Sequence, residues 1–227
     1  MRITSRDVRL VKDVALSHLL SRDQIIALGY FSSVTRANTR LRELAKYGFV
    51  RTLRTPFFGQ QLYMAGRRAE TIVGERISSL LRGRAESPRF VRHALSVTNV
   101  RLKLLSKGAK EWRFEQQLGV DFQFAGKDYE VRPDGLAVTE NGMIAVEADL
   151  GHVAPQKFKE KLRSYDAFIS SGVCREAWKS DGFRLLVVTS GPLRATRLSR
   201  LVLPGQRFET AFHDTSELGI EFPGAWS

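Results

Sequence analysis

The first 46 residues alternate between apolar and polar positions with a period of three to four residues. Apolar side chains recur in this way at Val8, Val11, Val14, Leu16 and Leu19, which predicts an amphipathic helix. Ser21 followed by Gln24 has the form of a capping box and predicts a second helix that ends at Gly29. Ser33 is the expected N-cap of a third helix that runs to Lys46.

The third predicted helix has two chemically different sides. Its apolar side consists of Val34, Ala37, Leu41, Leu44 and Ala45. Its polar side consists of Thr35, Arg36, Thr39, Arg40, Arg42 and Lys46. A helix fits the major groove of DNA and offers such donors to base edges and phosphates. We expect Arg36, Thr39 and Arg40 to contact bases. We expect Arg42 and Lys46 to contact phosphates.

Residues 49–66 predict a β-hairpin, because two short strands flank a turn that contains Pro56 and Gly59. Arg51 and Arg54 on this hairpin are candidate contacts to an adjacent groove or to the DNA backbone. The series of helices, then Tyr-Gly-Phe-Val-Arg and a hairpin, resembles the winged-helix DNA-binding superfamily over about residues 5–66. The resemblance implies a winged helix-turn-helix domain at residues 1–66 that binds double-stranded DNA. Winged helices also serve as protein-interaction modules, so a protein adaptor is an alternative.

Residues 67–88 are predicted to connect two domains. An apolar stripe over residues 66–81 predicts a helix that either pairs with a second copy in a homodimer or packs on its own domain. Residues 82–88 have the composition of a linker.

The second half of the chain changes to a strand period. Apolar residues alternate from Trp112 to Gln116 and again from Val120 to Phe124, and Asn141-Gly142 between two apolar runs predicts a hairpin. If Asn141 and Gly142 form the loop, Asp134 lies opposite Asp149, with Glu147 on the same face. Opposed carboxylates destabilise a sheet. We therefore expect a divalent cation, a basic side chain such as Arg132 or Lys161, or a raised pKa at this place.

The remaining elements predict an α+β fold. A helix over Pro155–Ser170, a strand over Phe183–Thr189, a helix near Pro192–Leu201 and a strand over Arg207–His213 follow the hairpin. Together with Pro133-Asp134 and Glu147-x-Asp149, this order resembles the restriction-endonuclease-like, or PD-(D/E)XK, fold over residues 89–227. The chain also resembles the replication-relaxation family of plasmid-associated proteins. The stretches that carry this likeness are residues 93–97, 132–135, 146–151 and 161–165.

The resemblance implies two alternatives for this second domain. In an active nuclease, Asp134, Glu147 and Asp149 would hold Mg²⁺ or Mn²⁺. A lysine is expected where this chain has Asp149, so Lys161 or Lys157 from the following helix would replace it. The other alternative is a catalytically degenerate domain that keeps its fold for binding. DNA binding itself requires no cofactor.

Charge divides the chain in the same way. Residues 1–110 hold 22 Lys and Arg against 7 Asp and Glu, a net charge of +15, whereas residues 111–227 hold 14 against 17, a net charge of −3. A single cysteine excludes a disulfide framework and a Cys-rich zinc site. No apolar run approaches the roughly 18 residues that span a bilayer. We therefore expect a cytoplasmic protein with no membrane partner.

These observations predict a sequence-specific protein that binds double-stranded DNA. It would act as a regulator or as a replication or relaxation accessory factor of a plasmid or mobile element, with a replication or relaxation protein as a further partner. The alternative is a metal-dependent endonuclease or nickase that its winged helix targets to DNA.

Overall fold

The computed structural model describes residues 2–56, 58–74, 87–151 and 153–217. Contacts divide the chain into two units, of which the first contains the described residues up to Leu102 and the second those from Lys103 onward. Both units combine helices with sheets, so the chain is α+β as predicted.

The first unit begins with three helices, α1 (Ser5–Leu16), α2 (Arg22–Ala27) and α3 (Val34–Lys46). The predicted caps are confirmed. Gln24 N–H donates to Ser21 Oγ at 3.2 Å, Ser21 N–H donates to Gln24 Oε1 at 3.1 Å, and Arg36 N–H donates to Ser33 Oγ at 3.3 Å. Val34 is an exception to the predicted apolar side of α3, since it lies in the first turn and is 47% exposed.

A three-stranded antiparallel sheet completes this arrangement. The predicted hairpin consists of β2 (Val50–Thr55) and β3 (Phe58–Ala65), and β3 also pairs with the short β1 (Leu20–Ser21). Residues 67–73 form a 3₁₀ turn, Arg67–Ala69, and α4 (Glu70–Val73). The rest of the predicted helix over 66–81, from residue 75, lies outside the described residues, as does most of the predicted linker.

Helix α5 (Pro88–Ser106) belongs mainly to the first unit. Its buried residues Val91, Ala94 and Leu95 pack in one cluster with residues of the hairpin. Gln24 Nε2 donates to Leu95 O at 2.9 Å and to Asn99 Oδ1 at 2.8 Å. Because these contacts extend past residue 88, the contact boundary lies inside α5. The boundary predicted from the sequence, at residue 89, lies near the start of the same helix.

The second unit is built on a mixed five-stranded sheet in the order β10-β9-β8-β7-β4. Its strands are β4 (Glu111–Phe114), β7 (Gly135–Thr139), β8 (Gly142–Asp149), β9 (Arg184–Thr189) and β10 (Thr210–Asp214). Strands β8, β9 and β10 are parallel, whereas β7 is antiparallel to both of its neighbours. Strands β5 (Val120–Phe124) and β6 (Lys127–Val131) form a separate hairpin.

Four helices accompany these strands: α6 (Glu115–Leu118), α7 (Pro155–Ser170), α8 (Val173–Trp178) and α9 (Pro192–Ser199). Pro155 begins α7 as predicted. The predicted strand alternation through Gln116 is wrong, because the strand ends at Phe114 and the chain turns into α6. The sequence made no prediction for α8. An apolar core that includes Tyr165, Phe168 and Trp178 joins α7, α8 and the sheet.

The predicted register of the β7–β8 hairpin is also wrong, by two residues. Thr139 pairs with Gly142 and Gly135 pairs with Val146, so Glu140 and Asn141 form the loop. Gly142 takes the positive φ, +109°, and Asn141 does not. An Asn-Gly turn with these two residues as its loop requires a positive φ at both of them. The hairpin therefore does not have that turn, and Gly142 instead follows the two loop residues. A shift of two residues keeps every side chain on its predicted face. Continuing the register puts Asp134 beside Glu147, not beside Asp149.

Candidate nucleic-acid interface and carboxylate cluster

One side of α3 presents a row of exposed polar side chains. Thr35, Thr39, Arg42 and Lys46 follow each other at intervals of four, three and four residues, which aligns them along the helix. The opposite side of the helix is fully buried in the core of the unit. We call these four residues the α3 stripe. It combines two hydroxyls with two cations and contains no carboxylate.

Arg36 lies beside the α3 stripe and is also exposed, with Nη1 donating to Ser32 Oγ at 3.1 Å. On the hairpin, Arg51 and Arg54 are exposed as well. Gln60 on β3 is linked to Asp23 of α2 by a 2.6 Å hydrogen bond, which fixes the hairpin to the helices. Seven of the eight residues that the sequence assigned to DNA are therefore exposed.

Arg40 is the exception, because its guanidinium is held inside the unit. Nε and Nη2 donate to the two carboxylate oxygens of Asp7 at 3.0 and 2.6 Å, and Nη1 donates to Glu43 at 2.6 Å. Asp7 is fully buried. At about 100° per residue, Arg40 lies only about 70° from the centre of the buried side of α3. Its prediction as a base-reading residue therefore does not agree with the structure.

The Asp7–Arg40 pair also perturbs the acid. Burial on its own raises the pKa of Asp7, but hydrogen bonds from Arg40 and Thr4 outweigh burial and lower the pKa to about 2. Asp7 therefore carries its charge throughout the neutral range. The pair joins α1 to α3 and so fixes the orientation of the helix that carries the α3 stripe.

In the second unit, the buried Glu147 lies at the centre of a polar cluster whose Lys161 and Asp134 are partly exposed. Strand β8 directs its side chain toward α7, where Lys161 Nζ donates to Oε2 at 2.5 Å and Tyr165 OH donates to Oε1 at 2.6 Å. Lys161 and Tyr165 are four residues apart and share one side of the helix. The apolar stripe of α7 packs on the sheet and brings both donors to the strand. Of the two candidate lysines, the structure therefore brings Lys161 to Glu147.

Asp134 joins this cluster from the neighbouring chain segment. Its backbone N–H donates to Val146 O at 3.0 Å, and its Oδ2 accepts from Ala148 N–H at 2.7 Å. Asp134 thus extends the hydrogen-bond ladder between β7 and β8 by one residue, on the side where β7 begins at Gly135. We call Asp134, Glu147, Lys161 and Tyr165 the carboxylate cluster.

The pKa values in the carboxylate cluster follow from burial and from the short contacts. Burial raises the pKa of Glu147; the charge of Asp134 acts in the same direction, and Lys161 and Tyr165 oppose it. Burial lowers the pKa of Lys161, but the carboxylates of Glu147 and Asp134 outweigh it and raise the pKa to about 12. Burial raises the pKa of Tyr165. Lys161 and Tyr165 are therefore protonated donors at neutral pH.

Asp149 has its own partner and does not share those of Glu147. Its carboxylate accepts from Arg194 Nη2 at 2.7 Å and from Gly151 N–H at 2.6 Å. Arg194, in the first turn of α9, also donates to Val153 O at 2.5 Å. Arg194 was not predicted from the sequence, where only its place in a basic helix could have indicated it. Arg132, the other expected cation, pairs with Glu130 instead.

The fit of a divalent cation is therefore poor in this arrangement. Both oxygens of Glu147, both of Asp149 and one of Asp134 accept hydrogen bonds from protein donors. In the part of the chain that the structure describes, no three His, Cys, Asp or Glu side chains are grouped as ligands for a metal ion. As they stand, Asp134, Glu147 and Asp149 form a hydrogen-bonded and ion-paired set.

The protein is thus a mixed α+β chain of two units. The first unit is basic and has an exposed polar helix, and the second contains the ion pairs of Glu147 and Asp149. The chain belongs to the replication-relaxation family, because the family model described as Replication-relaxation matches residues 12–182. Membership associates the chain with a function related to replication. No curated protein matches the sequence.

Among solved structures, the chain is similar to the crystal structure of protein VC1899 from Vibrio cholerae. The TM-score is 0.31 and the sequence identity is 11%, over 93% of this chain and 47% of that protein. The chain therefore spans about half the length of that protein. Within the described ranges, no helix has both the length and the apolar character needed to cross a membrane.

Proposed function

We propose that this protein binds double-stranded DNA in a sequence-specific manner and serves a plasmid or other mobile element as a regulator or as a replication or relaxation accessory factor. The first unit would be a winged helix, with α3 as the recognition helix and β2–β3 as the wing. The observation that carries the proposal is the α3 stripe, because exposed hydroxyls and cations in one line suit a groove lined by acceptors and phosphates.

Two pairs of substitutions separate base reading from phosphate contact. We expect Arg36→Ala with Thr39→Ala to reduce the preference for the best-bound duplex over a scrambled one by about tenfold or more, since base contacts contribute about 1–3 kcal/mol each. We expect Arg42→Ala with Lys46→Ala to weaken binding to both duplexes alike and to reduce the salt slope by about 2. Fluorescence anisotropy with labelled duplexes measures both quantities.

The matched control for these variants is Arg9→Ala with Lys12→Ala, which removes two exposed cations from α1. It should preserve the preference between the two duplexes. If the Arg36/Thr39 variant also preserves that preference, α3 is not the recognition helix. A palindromic preferred site would point to a second copy of this chain as partner.

A metal-dependent nuclease is the second candidate, and one observation favours it. Lys161 reaches Glu147 beside Asp134, which is the place where the resemblance to the restriction-endonuclease-like fold calls for a lysine. The parallel pairing of β8 and β9, with α7 between them in the chain, supports the same fold for the second unit. Against cleavage stands the engagement of the carboxylates with protein donors, which a cation would have to displace.

Incubation of supercoiled DNA with the full chain in Mg²⁺ or Mn²⁺ distinguishes the candidates. We expect binding without nicking, so Glu147→Gln should leave the products unchanged. Metal-dependent nicking that disappears in Glu147→Gln and in Asp134→Asn would instead establish the nuclease.

A further inference from the structure

A second basic surface lies in the second unit. From Gly182 to Phe208 the chain has five arginines and no Asp or Glu, although residues 111–227 together carry a net charge of −3. Within this segment, the three arginines of residues 194–200 are at least nine residues from an acidic residue along the chain. Helix α9 occupies the middle of the segment.

The arginines of α9 have different roles on its two sides. Leu198 is fully buried, and Arg194 is held by Asp149 and Val153 O. Leu193, Arg197 and Arg200 follow each other at intervals of four and three residues on the outer side, and all three are exposed. We call these three residues the α9 stripe. In the described part of the chain, neither Arg197 nor Arg200 has an ion-pair partner.

Leu193 is the most exposed large apolar side chain among the described residues, at 87%. A single exposed leucine needs no explanation by itself. Here, however, it lies in line with Arg197 and Arg200 on the outer side of α9. Proteins that bind the minor groove of DNA combine arginine with apolar side chains that contact the base steps.

We propose that the α9 stripe is a second contact surface for duplex DNA, distinct from the α3 stripe. Arg197 and Arg200 contact phosphates, for which the guanidinium fork is well suited, and Leu193 packs against the edge of the groove. Phosphate contacts carry no sequence information, so this surface adds affinity without specificity. The proposal extends beyond the function proposed above, because it does not depend on α3 reading bases.

Duplex DNA is the favoured partner on grounds of charge. The first half of the chain carries a net +15, which suits a polyanionic partner, and the α9 stripe adds exposed cations for the same kind of partner on the second unit. An acidic protein is the competing partner. It would also contact the arginines, and the test therefore includes a polyanion that is not a nucleic acid.

The test compares the full chain with the Arg197→Ala, Arg200→Ala double variant on a duplex of mixed sequence at several salt concentrations. Each lost phosphate contact reduces the slope of log K against log salt by about 0.9. We therefore expect the slope to fall by about 2, with unchanged preference for the best-bound duplex. Leu193→Ser should weaken binding several-fold without changing the slope.

The matched control is Arg163→Ala with Arg175→Ala, two exposed arginines on other helices of the same unit. If the α9 variant has the same slope and affinity as this control, the proposal is overturned. Unchanged DNA binding combined with lost binding to polyglutamate would also overturn it and would indicate an acidic protein as partner. The two proposals are tested by different quantities. Sequence preference should change in the α3 variants only, whereas the α9 variants should change affinity and salt slope without changing sequence preference.

Discussion

The arginines of α3 differ in role according to their position around the helix. Arg42 faces outward in the α3 stripe, whereas Arg40, two residues earlier, lies at the flank and forms an ion pair with the buried Asp7. A buried carboxylate that loses its partner is costly, while an exposed pair contributes little. Arg40 therefore serves to hold α3 in its orientation against α1.

This difference predicts the effect of removing each acid that contacts Arg40. Asp7→Asn should lower the free energy of unfolding by about 2 kcal/mol, because it takes a charged hydrogen-bond partner from a guanidinium that is mostly buried. The control is Glu43→Gln, since Glu43 contacts the same arginine but is half-exposed; it should cost less than about 1 kcal/mol. Urea denaturation at neutral pH measures both changes. Equal costs for the two variants would contradict the structural role of Asp7.

The pH dependence of the same variant has a defined sign. The pKa of Asp7 in the folded protein, about 2, lies below its ordinary value of 3.8, so its stabilising contribution is complete above about pH 4. That contribution disappears as the pH falls from about 4 to 2. The difference in unfolding free energy between wild type and Asp7→Asn should therefore shrink across this interval. A constant difference would show that the charge of Asp7 is not what stabilises the fold.

The helix caps, which have local partners, could be predicted from the sequence, whereas the two inward-facing arginines, which have distant partners, could not. The caps at Ser21 and Ser33 depend on a neighbour three residues away, so the sequence contains the whole interaction. Arg40 and Asp7 are 33 residues apart, and Arg194 and Asp149 are 45 residues apart. Only the tertiary fold decides that these arginines face inward.

At the scale of elements, a close approach of two strands explains the glycine in the Arg-Pro-Asp-Gly stretch. Gly135 begins β7, and a Cβ atom at this position would lie 2.0 Å from the ring of Trp112 on β4. Trp112 is buried, so its ring has little space to move. The glycine thus allows the tryptophan to cover β7 immediately after Asp134.

Gly135→Ala should therefore destabilise the second unit by about 1–3 kcal/mol or more, as overpacked cores do. Thermal unfolding followed by tryptophan fluorescence and circular dichroism measures the loss. The double variant Gly135→Ala, Trp112→Leu should be more stable than predicted from the sum of the single substitutions. Simple additivity of the two changes would contradict the steric explanation.

The strands of the second unit were partly predictable for a related reason. Alternation of apolar residues indicates which face of a strand is buried, and this was sufficient to place Glu147 and Asp149 on one face. It does not determine the register, which depends on the turn. Gly142, and not Asn141, takes the positive φ, and the pairing moves by two residues. Asp134 therefore lies beside Glu147. Lys161 from α7 donates a hydrogen bond to Glu147, and its charge interacts with both carboxylates.

At the scale of the whole molecule, the charge asymmetry of the sequence corresponds to two units with different electrostatics. The first unit presents cations outward on α3 and on the hairpin. The second unit pairs its central acids with Lys161 and Arg194, and Arg197 and Arg200 are exposed on the outer side of α9. The net charge of +12 is thus the sum of a strongly basic half and a nearly neutral half.

Selection of bound duplexes from a random pool tests the central claim most directly, when the selection is run with the full chain in the presence and absence of Mg²⁺. We predict enrichment of one sequence motif under both conditions, loss of that motif with the Arg36→Ala, Thr39→Ala variant, and recovery of intact, unnicked duplexes. A pool that stays random after repeated rounds, or one whose motif is unaffected by the α3 substitutions, would contradict sequence recognition by α3.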